Sequence, residues 1–133
     1  MTNFEKIQNY LTEMGYAYEV VDPKEEILAI SDRANGISRL LMDCDDPILV
    51  LEQFICELNN PSDSSHLSQL LKLNRTLVHG AFSLDDSGQK VIYRDTLQLA
   101  NLDLNELRGS IEALGLAMAE NAKEFIEMSK KAS

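Results

Sequence analysis

Residues 70–107, LLKLNRTLVHGAFSLDDSGQKVIYRDTLQLANLDLNEL, read as the end of one helix, a hairpin and the start of another helix. Asp85-Asp86-Ser87-Gly88 separates two alternating runs: its Gly accepts positive φ, and its Asp and Ser side chains bond to nearby backbone. The flanking strands are expected over Gly80–Asp85 and Gln89–Leu99. A change of phase in the alternation at Asp95 predicts a bulge in the second of them. Asn101 and Asp103 then open a helix, with Asp103 and Glu106 at capping-box spacing. Along it Leu104, Leu107, Ile111, Leu114, Met118, Phe125 and Met128 occupy a and d positions of a heptad, with Asn121 at the remaining d. In so short a chain that seam is expected to pack on the molecule's own sheet rather than in a coiled coil. Lys130 and Lys131 place positive charge at the carboxyl end.

Upstream of this segment, Asn59-Asn60-Pro61-Ser62-Asp63-Ser64 is a turn-rich connector ending in good N-cap residues, and a helix over Ser65–Asn74 follows. Leu67, Leu70 and Leu71 form its apolar edge, which Leu73 widens. Ile48–Leu58, ILVLEQFICEL, fits a helical face as well as a strand. Pro47 at its entrance and the β-branched residues beside it favour a strand, apolar on both faces at its start and therefore central in a sheet. At the amino end, Thr2 and Glu5 match a capping box, and Phe4, Ile7, Leu11 and Met14 recur at helical spacing. They predict a helix over Asn3–Met14 stopped at Gly15. Tyr16–Val21 and Ile27–Ile30 read as short strands around Asp22-Pro23, Ala34-Asn35-Gly36 as a tight hairpin turn, and Ile37–Asp43 as a third strand. The order is helix, three to four strands, helix, two strands, helix. That is an α+β fold, with a mainly antiparallel sheet and helices packed on it.

The length of 133 residues suits one domain spanning 1–133. A formal charge of -10 repels phosphate backbones and anionic lipid, so no nucleic acid is expected as a partner, whereas basic or amphipathic polypeptide is compatible. The opening MTNFEKIQNY lacks the basic and apolar regions of a signal peptide, and no run approaches the ~18 apolar residues of a membrane span. A cytoplasmic protein without membrane insertion is expected.

Residues that carry chemistry are sparse. Cys44 and Cys56 fit neither a CxxC pair nor a zinc set and are read as buried, reduced thiols. His66 and His79 belong to no metal motif. Asp43, Asp45 and Asp46 resemble the start of a calcium loop but lack its Gly and distal Glu, so a solvated turn is expected. With no phosphate loop, no GxSxG and no Cys–His pair, the expectation is a non-enzyme with no metal and no cofactor. What stands out is apolar surface on two helices and the long strand. If it exceeds what one domain covers, the remainder pairs with a second subunit or a client. Met14, Met42, Met118 and Met128 either let such a surface adapt or fill the core.

A first helix, three or so strands, a Leu-rich helix ending in LLKLN, a DDSG hairpin and a long amphipathic carboxyl-terminal helix resemble the class I type III secretion chaperone fold. That superfamily includes Tir chaperone-like and YbjN-like proteins, and HGAFSLDDSGQKVIYRDTLQLANLDLNEL is similar to the uncharacterised YjfI-like branch. The resemblance implies a homodimer that binds polypeptide without catalysis, the client lying extended in hydrophobic grooves or adding to a sheet edge. It implies Leu67, Leu70, Leu71 and Asn74 as dimer-helix positions, and Ile48, Val50 and Phe54 as client or interface surface. The region Ala17–Ile30 departs from the pattern by carrying an extra strand. A second reading is a small-molecule sensor or enzyme, with a pocket between the last helix and the sheet and His79, Arg94 and Asp95 at its mouth. A third is a subunit of a stress-response or envelope-associated assembly, whose hetero-partner covers the apolar surplus.

Overall fold

The computed structural model describes residues 1–130. Among them the order is α1 (Asn3–Glu13), β1 (Tyr18–Asp22), β2 (Ile27–Asp32), one 3-10 turn (Arg33–Asn35), β3 (Ile37–Asp45), β4 (Ile48–Glu57), α2 (Ser64–Asn74), β5 (Ala81–Leu84), β6 (Lys90–Gln98) and α3 (Leu104–Ser129). The α+β order expected from the sequence is present, with four strands ahead of α2. They form one antiparallel sheet in the order β1-β2-β3-β4-β6-β5.

Side chains start the helices. Thr2 Oγ1 accepts from the Glu5 amide at 3.1 Å, while the Thr2 amide donates to Glu5 Oε1, so two amides that helix geometry leaves unpaired are satisfied. Asp63 caps α2 by accepting from the Ser65 amide at 2.9 Å, and Asp103 caps α3 by accepting from the Glu106 amide at 2.7 Å. The hydroxyl and amide of Ser65 hold the Asp63 carboxyl below its ordinary range. Lys130 follows α3 as its C-cap; Lys131 lies outside the described residues.

Strand register decides which side chains form the core. Leu28 faces Met42, Met42 faces Leu51, Ile30 faces Leu40, and Phe82 faces Tyr93, and all of these are buried. They join Phe4, Ile7 and Leu11 of α1, Leu70 of α2, and Leu107, Ile111, Leu114, Phe125 and Met128 of α3 in one cluster. All three helices therefore cover the same face of the sheet. The α3 seam packs at home, as its heptad reading implied, and Asn121 is accommodated by donating to the Ala117 carbonyl at 2.9 Å. Met42 and Met128 are fully buried filler, and Met14 and Met118 pack against the core's margin.

Two local expectations need correction. Register shifts fall in β1 between Val20 and Asp22, in β2 between Ile30 and Asp32 and in β4 between Phe54 and Cys56, and not in β6 at Asp95, where pairing runs uninterrupted. Asp95 keeps the inward phase because the Ser110 hydroxyl of α3 donates to its Oδ2 at 2.6 Å, so a polar residue at a core position only looked like a slip. The Ala34-Asn35-Gly36 turn is not a two-residue hairpin loop but a 3-10 turn closed by Gly36 at φ 80°. That turn lies against α3, where a side chain at Gly36 would stand 2.7 Å from Met118 Cβ.

Candidate functional site

The sheet face opposite the helices is built by the residues that alternate with the core positions. Cross-strand pairing sets them in rows: Ile27, Asp43, Val50 and Thr96 in one; Glu19, Ala29, Leu41, Glu52, Arg94 and Ala81 in the next; Phe54, Ile92 and Ser83 beyond. Among the described residues no helix covers this face. Ile27, Leu41, Val50 and Ile92 are half-buried by their neighbours, and Phe54 is 55% exposed. Ile48, Val50 and Phe54, expected as client or interface surface, all lie here. Ile27 and Leu41 belong with them and were not singled out from the sequence. The pair Leu40-Leu41 holds the signal, because consecutive strand residues point to opposite faces and one leucine must point away from the core.

Charge is distributed unevenly over this face. Arg94 pairs with Glu52, and Arg39 pairs with Glu19 at 3.6 Å. Asp43 sits between Ile27 and Val50, and among the described residues no cation bridges it. Burial, followed by the charges of Asp45, Glu25 and Glu52, raises its carboxyl above the ordinary range. A hollow of about 220 Å³ opens there, lined by Ile27, Leu41, Asp43, Asp45, Val50, Glu52 and Arg94.

The sheet's two edges differ. At β5, Asn74 of α2 stands in for a further strand: its Nδ2 donates to the Phe82 carbonyl at 3.0 Å and its Oδ1 accepts from the Phe82 amide at 2.7 Å. The other edge, β1, has no strand beyond it among the described residues, and Tyr18, Val20 and Val21 are exposed.

The four candidate dimer-helix positions fall in three environments. Leu70 is 5% exposed and enters the core, Leu67 packs at the core's margin, and Asn74 is engaged with β5. Leu71, 73% exposed, is the one that faces fully outward.

Arg94 and Asp95 both line a hollow of about 220 Å³ beside β5, with Gly80, Ala81, Ser83 and Thr96, whereas His79 does not line it. Adjacent strand residues point to opposite faces, so Arg94 meets Glu52 outside while Asp95 meets Ser110 inside. The His79 carbonyl accepts from the Tyr93 hydroxyl at 3.1 Å, and its imidazole faces Gly109 of α3. Burial, then the Asp95 charge, pushes the Tyr93 phenol well above its ordinary value. A concavity of about 690 Å³ does lie between α3 and the sheet but at the 3-10 turn, lined by Tyr16, Arg33–Ile37, and Ile111, Glu112, Gly115, Leu116, Met118, Ala119 and Ala122 of α3. None of the three residues expected at a pocket mouth lines it. Both cysteines are free thiols, Cys56 buried and Cys44 half-buried, and burial with the Glu26 and Asp43 charges pushes the Cys44 thiol up to about 12.

No curated protein sequence matches the chain at a significant level. Solved structures share its fold. YbjN from E. coli aligns over 91% of this chain and 92% of its own, with TM-score 0.68 and 14% identity. A chain of the heterodimeric ExoU–SpcU complex from the type III secretion system of Pseudomonas aeruginosa aligns over 93% and 98%, with TM-score 0.64 and 15% identity. The Yersinia pestis type III secretion chaperone SycH, in complex with a stable fragment of YscM2, gives 96%, 100%, 0.60 and 14%. The CesT_Tir_1 family model matches residues 1–131, so the chain belongs to the CesT_Tir_1 family.

Proposed function

We propose that this protein is a cytoplasmic, homodimeric, chaperone-like binding module of one domain, without catalytic activity. It takes an extended polypeptide segment across the helix-free face of its sheet, on Ile48, Val50 and Phe54 together with Ile27 and Leu41. The observation that carries this reading is the face itself. Three helices cover one side of the sheet and leave on the other an apolar strip that ends in a half-exposed Phe. An extended segment suits it because the rows repeat at strand spacing, so alternate side chains of the segment find successive hollows. Family membership supports the reading, as do similar folds solved as complexes with ExoU and YscM2. Dimerisation through the outward side of α2 at Leu71 leaves the face free.

A photo-crosslinking residue placed at Phe54 in the native cell tests this directly. Discrete polypeptide adducts are expected at Phe54 and not from the same residue at Leu116, an exposed apolar position on α3. Adducts at neither site, or the same adducts at both, would overturn the reading.

A further inference from the structure

The helix-free face carries a charge asymmetry that its apolar rows do not require. Its two arginines are already committed to Glu19 and Glu52, whereas Asp43 and Asp45 on β3 have no cation assigned to them among the described residues. Asp43 is set in the middle of the apolar strip, with Ile27 and Val50 on the neighbouring strands and Leu41 two residues away on its own. A carboxylate framed by hydrocarbon loses solvation, and its neighbours Asp45, Glu25 and Glu52 add repulsion. A cation entering the 220 Å³ hollow would relieve both effects at once.

We infer that the occupant of this face is a cationic amphipathic polypeptide segment, in which apolar side chains alternate with Lys or Arg and one basic side chain enters the hollow beside Asp43. The inference rests on the protein-binding reading and adds the chemistry of the partner. A second copy of the chain is a poor occupant of the same face. Stacking two copies there opposes Asp43 and Asp45 to each other, in molecules that each carry a formal charge of -10. An acidic or neutral segment leaves Asp43 buried further without a partner.

Three fluorescently labelled ten-residue peptides alternating Val with Lys, Ser or Glu serve as probes, with anisotropy titration of the full chain as the readout. The Lys peptide is expected to bind at least tenfold more tightly than the other two, with an affinity that falls as salt rises. Asp43→Asn is expected to weaken it about fivefold, the effect of losing one partly exposed charge pair. Phe54→Ser should weaken all binding. Asp86→Asn, which removes the same charge from the exposed hairpin loop, should leave the affinity unchanged. Both face variants are at non-core positions, and an unchanged melting temperature verifies their folding. Equal binding of the three peptides that is still lost in Phe54→Ser overturns the charge preference and leaves the protein-binding reading standing. Equal weakening by Asp43→Asn and Asp86→Asn reduces the effect to net charge and overturns it also. If no peptide binds, the inference falls, while the crosslink at Phe54 judges the broader reading separately.

Discussion

Gly80 sits at φ 72° where the chain passes over Tyr93, and an added Cβ would stand 2.5 Å from the phenol oxygen and from Cζ. Tyr93 is fully buried and donates to the His79 carbonyl, so neither partner has room to yield. Gly80→Ala combines overpacking with an unfavourable backbone conformation, and the expected loss is about 1–3 kcal/mol in urea unfolding. Cys44 offers a test in pH. Its folded pKa of about 12 lies above the ordinary 9.0, so folding favours the protonated thiol. The stability this contributes is fully present below pH 9.0 and is lost as pH rises through 9.0 toward about 12. Cys44→Ala is accordingly expected to show a shallower alkaline decline in melting temperature than the parent, and an identical decline would refute the assignment. Gln53 is a residue whose role only the fold reveals. It is buried in β4 and ties the start of β3 in place, accepting from the Ser38 amide at 2.9 Å and donating to the Gly36 carbonyl at 3.1 Å.

In α2 one helix performs two tasks on two sides. Leu70 fills the core beside β5, and Asn74 closes the β5 edge, while Leu71, one residue from Leu70, points to solvent. Leu70→Ala is expected to cost about 2–4 kcal/mol, the usual cost of emptying a buried leucine site, and Leu71→Ala less than about 0.5 kcal/mol in the monomer. Chemical denaturation of both variants separates these roles; equal losses would contradict the burial difference. β4 similarly works on both faces. Leu49 and Leu51 enter the core while Ile48 and Val50 stay on the open side, and the bulge after Phe54 returns Cys56 to the inward phase. A strand apolar on both sides was legible as central from ILVLEQFICEL. The position of the bulge was not, because it depends on how β6 pairs alongside.

For the molecule as a whole, the proposed reading uses two separate surfaces, the helix-free face for a client and the outward leucine of α2 for a second copy. Absolute mass from light scattering across a ~100-fold concentration range is expected to give a dimer, and Leu71→Glu is expected to give a folded monomer, since a buried unpaired charge disfavours association. A parent that is monomeric at every concentration would overturn the dimer, and a Leu71→Glu variant that stays dimeric would move the interface elsewhere. Charge belongs to the same level of description. The surplus of carboxylates is spread along the chain, and its local consequence arises because pairing sets Asp43 between Ile27 and Val50.

Element types and order were readable in advance because they depend on short-range rules. Thr2 with Glu5, the DDSG loop and the heptad of α3 each act within a few residues and occur as read, while Asp103 caps α3 through the Glu106 amide without the return bond of a full capping box. The family resemblance was legible from the same order. What waited for the folded molecule was every property that joins distant segments. Asp95 looked like a break in a strand until Ser110 was placed beside it, His79 looked like a partner of Arg94 and Asp95 until its ring turned to Gly109 of α3, and Leu41 drew no notice until Leu40 took the core. Local hydrogen bonding and periodicity are written in consecutive residues, whereas strand register and the choice of face are settled by long-range pairing and by which surface the three helices bury.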